Sequence, residues 1–172
     1  MISVIIQCRN QEAELAKTLS ALVRGAVEGI ISDVIIIDDG SSDGTATVAD
    51  AAGCSLISSN DIANLPSHIR SEWILLIEPG AKPLNGWIEA LTEHINNGQS
   101  AARMSPSVNY RLPFLKRLLH KSSPLEYGVV MPKREFASNA KTAKNLANIA
   151  SGARTVKLRC EMVPASYAQL SA

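Results

Sequence analysis

The stretch Val34 to Thr45, VIIIDDGSSDGT, restricts what this chain can fold into more than any other. Four β-branched residues in succession, Val34, Ile35, Ile36 and Ile37, describe a strand buried on both faces, as at the centre of a parallel sheet. Asp38 and Asp39 end it abruptly, and Gly40, Ser41, Ser42, Asp43 and Gly44 follow with the composition of a tight turn. Open α/β sheets bind their ligands at the carboxyl ends of such strands, so the acidic pair marks the expected site.

The flanking segments supply the rest of an α/β unit. Ile2 to Ile6 is a short apolar run ending in Gln7, Cys8, Arg9 and Asn10. From Gln11 the period becomes helical, with Leu15, Leu19, Leu22, Val23 and Ala26 on the expected buried face. Strand, helix and strand in this succession predict a right-handed βαβ crossover. Beyond the acidic turn, Ser42 or Asp43 is the expected cap of a second helix, Gly53 its left-handed terminator, and Cys54 to Ile57 a third strand. Ser58 to Arg70 reads as a loop with room for a helical turn. Trp73 to Ile77 is a fourth strand with a second acidic end, Glu78-Pro79-Gly80, before a helix whose face is Trp87, Ile88, Leu91 and Ile95.

Patterning weakens from Ser100, where a strand to Met104 is expected. Tyr127 to Met131 reads as another strand, Pro132 opens one helix running through Phe136, Ala140, Ala143, Leu146 and Ile149 to Gly152, and Thr155 to Cys160 is an expected edge strand. Tyr110 to Lys121 alternates Leu and Phe with Arg and Lys. Such a segment suits either peripheral contact with an anionic membrane surface or a cover helix whose basic stems snorkel.

Composition narrows the partners. The 172 residues carry 17 Lys and Arg against 16 Asp and Glu, and a net charge of +1 gives no field for nucleic acid. Three separated cysteines, Cys8, Cys54 and Cys160, fit neither a disulfide framework nor a metal-ligand spacing, which predicts reduced thiols and a cytoplasmic setting. No apolar run approaches the roughly 20 residues of a membrane-spanning helix.

With both acidic strand ends in place, the sequence resembles the family 2 glycosyltransferases, whose nucleotide-sugar-binding core is the GT-A fold. ISVIIQCRN looks like the family's opening strand and turn, VIIIDDGSSDGT its second-strand motif, WILLIEPGAKPLNGW the strand of its metal motif, and EYGVVMPKREF the later strand near the acceptor. The resemblance implies an α/β, Rossmann-like domain over 1–172 with a mostly parallel central sheet and flanking helices, a nucleotide-sugar half at 1–98 and a shortened acceptor half at 99–172. It also implies an inverting transfer from a UDP- or GDP-linked sugar to an acceptor it does not identify, with Cys8, Arg9, Asn10, Asp38, Asp39 and Glu78 binding the donor.

Departures from the family pattern bear on the chemistry. Glu78 matches the first acid of the metal motif that would hold Mn2+ or Mg2+, but the usual second acid is Gly80. A hard cation is ordinarily held by several oxygens, and Gly80→Asp is expected to restore one. The acidic pair that would supply the general base has no match in Ser138 to Lys144, and neither Glu135 nor Glu161 is in register, so the catalytic residues are unassigned. Arg9 replaces the family's aromatic residue, with a planar guanidinium able to stack or to face phosphate. A non-catalytic GT-A module that binds nucleotide or a protein partner stands as the alternative. A phosphorylated receiver domain would need an Asp on the third strand, which Cys54 to Ile57 lacks. Of the histidines, His68 alone falls in a segment bordering the expected site. Oligomeric state is open.

Overall fold

The computed structural model describes residues 1–98, 100–107, 109–110 and 122–170, with side chains as far as 167. The expected opening unit forms. Strand β1 (Ile2–Cys8) leads through helix α1 (Glu12–Val27) to β2 (Ile31–Asp38), and the strands pair in parallel up to Cys8↔Asp38. Helix α2 (Thr45–Ala51) and β3 (Ser55–Ser58) extend the sheet on one side, and β4 (Trp73–Leu76) pairs in parallel with β1 on the other. Between them, Ser59–Asn64 is a 3-10 turn and Leu65–His68 a short helix α3, so the presumed loop is largely helical.

The second half is mixed rather than parallel. After β5 (Lys82–Pro83), α4 (Trp87–Asn97) and β6 (Ala102–Pro106), the chain enters β7 (Val129–Pro132), which runs antiparallel to both β4 and β6. Helices α5 (Lys133–Ala140) and α6 (Leu146–Ser151), strand β8 (Val156–Val163) and helix α7 (Ala165–Leu170) complete the described chain. The sheet order is β3-β2-β1-β4-β7-β6-β8-β5. The basic segment expected to contact membrane lies, apart from Tyr110, outside the described residues, as does His120. Among the described residues no helix is long and apolar enough to cross a membrane.

Two-residue alternation distributes the strands between two cores. Val4, Ile6 and Cys8 of β1 join Ile36 and Leu75 beneath α1 and α4, whereas Ile5 joins Ile35, Ile37 and Leu76 beneath α3, α5 and α6. Both faces of the sheet are therefore covered, which is why β2 reads as a continuous apolar run from Val34 to Ile37.

Four expectations need correction. The buried face of α1 is Leu15, Thr18, Leu22 and Gly25, rotated from the expected stripe, and Val23 is 57% exposed. Specific contacts override the apolar count: the Thr18 hydroxyl donates to Ala81 O at 3.0 Å and accepts from Gly80 N at 2.7 Å, and Gly25 lies against the Trp87 ring. The displaced apolar residues, with Val34, Val48 and Cys54, line a groove of about 470 Å³ between α1 and α2. The single helix expected from Pro132 to Gly152 is two, because the Asn145 side chain accepts from Asn148 N at 2.8 Å and starts α6 afresh. Strand β8 lies inside the sheet order, between β6 and the two-residue β5, rather than at the edge. Gly44, not Ser42 or Asp43, precedes α2.

Asp43 instead braces two helix starts. It accepts from Thr45 N and from the Thr45 hydroxyl, and from Glu12 N at 3.1 Å, while Glu12 returns a carboxylate to Gly44 N at 3.1 Å. These are the backbone donors that a helix start leaves without intrahelical partners. The Thr45 hydroxyl bond is the chief reason the Asp43 carboxyl is held below its ordinary 3.8.

Two outcomes follow. A Cβ on Gly25 would stand 2.5 Å from a Trp87 ring carbon. Gly25→Ala, which in an open helix stabilises by roughly 0.5–1 kcal/mol, is expected here to cost about 1–3 kcal/mol by overpacking, read as a lower urea midpoint. A carboxyl lowered on folding contributes stability above its ordinary value and loses it as pH falls from about 3.8 through the lowered folded value. The stability gap between wild type and Asp43→Asn is thus expected at neutral pH and should close on acidification; a gap that persists in acid unfolding titrations would count against the brace.

Candidate functional site

The carboxyl ends of β1, β2 and β4 converge on one edge of the sheet, and the start of β7 joins them because it runs the opposite way. The register Leu76↔Val129 sets the residues after β4 beside those before β7. A cavity of about 450 Å³ opens there. Its walls include Gln7 and Gln11 from the β1 end, Glu78 and Pro79 after β4, Glu126 before β7, and Asn145 at the start of α6.

The acidic pair divides its work. Both oxygens of Asp38 accept from Ser41 N, at 3.1 and 3.2 Å, and Oδ1 also accepts from the Ser41 hydroxyl, so this carboxylate shapes the turn. The Asp39 N–H donates to Cys8 O at 2.9 Å, continuing the β1–β2 ladder by one bond. Its Oδ2 accepts from Gln7 Nε2 at 2.9 Å, and its Oδ1 accepts nothing from the described residues.

Asn10 has φ +52°, the left-handed conformation that asparagine tolerates better than other non-glycine residues. In that pose its N–H donates to the Ser41 hydroxyl at 2.9 Å and its Oδ1 accepts from Ser42 N at 2.7 Å. The exposed Arg9 follows Cys8 on the same rim. Cys8 itself is not brought to the crevice. It is 1% exposed and turns into the core with Val4 and Ile6, as its even position dictates. Burial, reinforced by Asp38, Asp43 and Cys54, pushes its thiol up to about 12, and burial takes Cys160 to about 11. Neither thiol is a nucleophile at neutral pH.

Gly80 stands where the resemblance would place a second metal acid. Its φ is +95°, and its N–H donates to Glu14 O at 3.0 Å and to the Thr18 hydroxyl at 2.7 Å. The residue is a turn that docks on α1, with a backbone that a side chain would strain. Glu78, expected as the first acid, does line the cavity. Among the described residues no group of three or more His, Cys, Asp or Glu is arranged to hold a metal ion. The donor set does not make a protein cage for a divalent cation.

Glu126 is the carboxylate that sequence reasoning passed over. It is 5% exposed, lines the cavity and accepts from the Ser122 hydroxyl. Its position before β7 is informative only once β7 is known to run antiparallel to β4. Of the expected donor residues Glu78 alone lines the cavity; Arg9, Asn10, Asp38 and Asp39 do not, and neither do Glu135, Glu161 and the exposed His68.

Comparison with known proteins bears on the fold. Residues 3–61 match the model of glycosyl transferase family 2. Glucosyl-3-phosphoglycerate synthase from Mycobacterium tuberculosis, solved with phosphoglyceric acid, superposes with a TM-score of 0.60 at 16% identity over 79% of this chain and 58% of that one. The same enzyme solved with Mn2+, uridine diphosphate and phosphoglyceric acid gives 0.58 at 16% identity, over 79% and 57%. Its complex with Mn2+, UDP-glucose and phosphoglyceric acid gives 0.56 at 15%, again over 79% and 57%. The chain thus spans under three-fifths of the length of these structures. No match is found among curated protein sequences. The chain has the GT-A fold, and its residues 3–61 match the model of glycosyl transferase family 2.

Proposed function

We propose that the crevice at the ends of β1, β2 and β4 binds the nucleotide part of a UDP- or GDP-linked sugar, and that the chain is a family 2-type glycosyltransferase acting by inversion. The observation that carries this reading is Asp39. Its carboxylate stands at the end of a strand within the family-matched segment, held from one side by Gln7 and open on the other. A carboxylate so fixed accepts hydrogen bonds from a base or a ribose hydroxyl without first having to be ordered. Asp38 and Asn10 act indirectly, by setting the loop Gly40 to Gly44, and Arg9 on the rim offers a guanidinium to base or phosphate. Glu78 faces the cavity where the diphosphate and sugar would lie. The neighbouring enzyme's complexes with uridine diphosphate and UDP-glucose support the ligand class. The 1–98 half would hold the donor, and the segments after it, with Glu126 in the cavity wall, would meet the acceptor.

The docked Gly80 and the acid-free stretch Ser138 to Lys144 favour a second reading, nucleotide binding without transfer. With a donor set unfit to cage a cation, the proposed binding runs through none. Calorimetric titration with UDP, GDP and their sugars, in the presence of Mn2+ and of chelator, tests both readings. Binding that changes by less than about threefold with Mn2+ is expected, together with a loss of at least about tenfold for Asp39→Ala. No binding, or binding indifferent to Asp39→Ala, sinks the nucleotide reading; binding with no sugar transferred across a panel of acceptors supports the second. Gly80→Asp is expected to lower stability by about 1–3 kcal/mol through backbone strain and to leave the Mn2+ response unchanged. A gain in Mn2+-dependent affinity in that variant would show that the turn can supply a ligand after all.

A further inference from the structure

Gln7 is a half-buried polar residue near the carboxyl end of β1, and alternation places it on the Ile5 face, under α6. Its amide uses both ends. Nε2 donates to Asp39 Oδ2 at 2.9 Å, and Oε1 accepts from Leu146 N at 3.0 Å, from a residue 139 positions away. A carboxylate only accepts and a backbone N–H only donates, so a single orientation of the amide satisfies both. Leu146 N is one of the first donors of α6, which the helix itself cannot satisfy. Gln7 also lines the 450 Å³ cavity, together with Asn145 and Ala147 from the start of α6.

We propose that Gln7 is the positioning residue of this crevice, fixing the Asp39 carboxylate for the nucleotide and tying it to the α6 wall of the cavity. The inference rests on the nucleotide reading and deepens it. With Oδ2 committed to Gln7, Asp39 presents Oδ1 in one direction, so the ligand meets an acceptor whose rotamer is already chosen. Through the second hand of the same amide, a change in Asp39 geometry is felt at Asn145 and Ala147. One residue thus links the donor side of the site to its far wall.

Two substitutions separate positioning from support. Gln7→Glu keeps an acceptor for Leu146 N but turns a like charge toward Asp39, whereas Gln7→Met removes both bonds at similar size. Full-length wild type and both variants are titrated with UDP, and their thermal midpoints are measured alongside. Positioning through Asp39 predicts the weakest UDP binding in Gln7→Glu, by at least about tenfold, although that variant keeps the α6 bond and Gln7→Met does not. A support role alone predicts affinity that follows the thermal midpoint, with Gln7→Met worst; that ranking, or both variants binding within about twofold of wild type, overturns the proposal. Should Gln7→Glu fail to fold, Gln7→Met measured well below its own midpoint decides: a loss of about threefold or more supports positioning, and a smaller one overturns it. Wild-type protein that binds neither UDP nor GDP overturns the nucleotide reading itself, an outcome distinct from equal binding by all three; if it binds GDP alone, the same three proteins are compared with GDP.

Discussion

Everything at this site depends on a sheet buried on both faces. Covering helices on each side leave the middles of β1, β2 and β4 to apolar side chains, so polar ones lie toward the two strand ends, Ser3, Ser32 and Asp33 at the start and Gln7 and Asp38 at the finish. A polar group buried without a partner costs on the order of 1–3 kcal/mol, so polarity is pushed to the strand ends. There it is shared out: Asp38 to Ser41, Asp39 to Gln7, and Gly80 N to Thr18 and Glu14. The crevice is where the sheet's exclusion of polar side chains ends, and its shape is set by which partner each one finds.

The fold was legible wherever one period dominated. Ile35 to Ile37 and Trp73 to Leu76 needed no tertiary knowledge, because continuous β-branched and large apolar residues next to turn chemistry leave few other structures. Helix α1 existed as read but faced differently. Counting apolar residues favoured Val23 and Ala26, whereas Thr18 and Gly25 won burial through one hydroxyl and one missing side chain. Neither is visible to a hydrophobic stripe. The break between α5 and α6 was hidden for a similar reason: Phe136, Ala140, Leu146 and Ile149 are all buried at spacings one long helix also satisfies. The non-helical residues 141–145 separate them, and the Asn145 side chain turns back to cap α6.

The site was legible in part, and along the same division. Asp38, Asp39 and Asn10 stand out because acid pairs and left-handed asparagine have a local chemistry. Cys8 was misplaced although the alternation that sends it inward is present in ISVIIQC itself. Gln7 was passed over because a glutamine at a strand end carries no local signal; its meaning lies in Leu146, far along the chain. Glu126 shares that property, since its proximity to Glu78 exists only through the antiparallel pairing of β4 with β7.

The reciprocal bonds between Glu12 and the Asp43–Gly44 turn have a thermodynamic meaning for whatever enters the crevice. Serine- and glycine-rich loops usually surrender backbone freedom when a ligand arrives, at roughly 1–2 kcal/mol per residue ordered. Here the loop has been immobilised at folding, stitched to the first turn of α1 by bonds that owe nothing to a ligand. Its entropy is lost once, during folding, so association at this rim resembles docking onto a finished surface rather than the coupled folding of a lid.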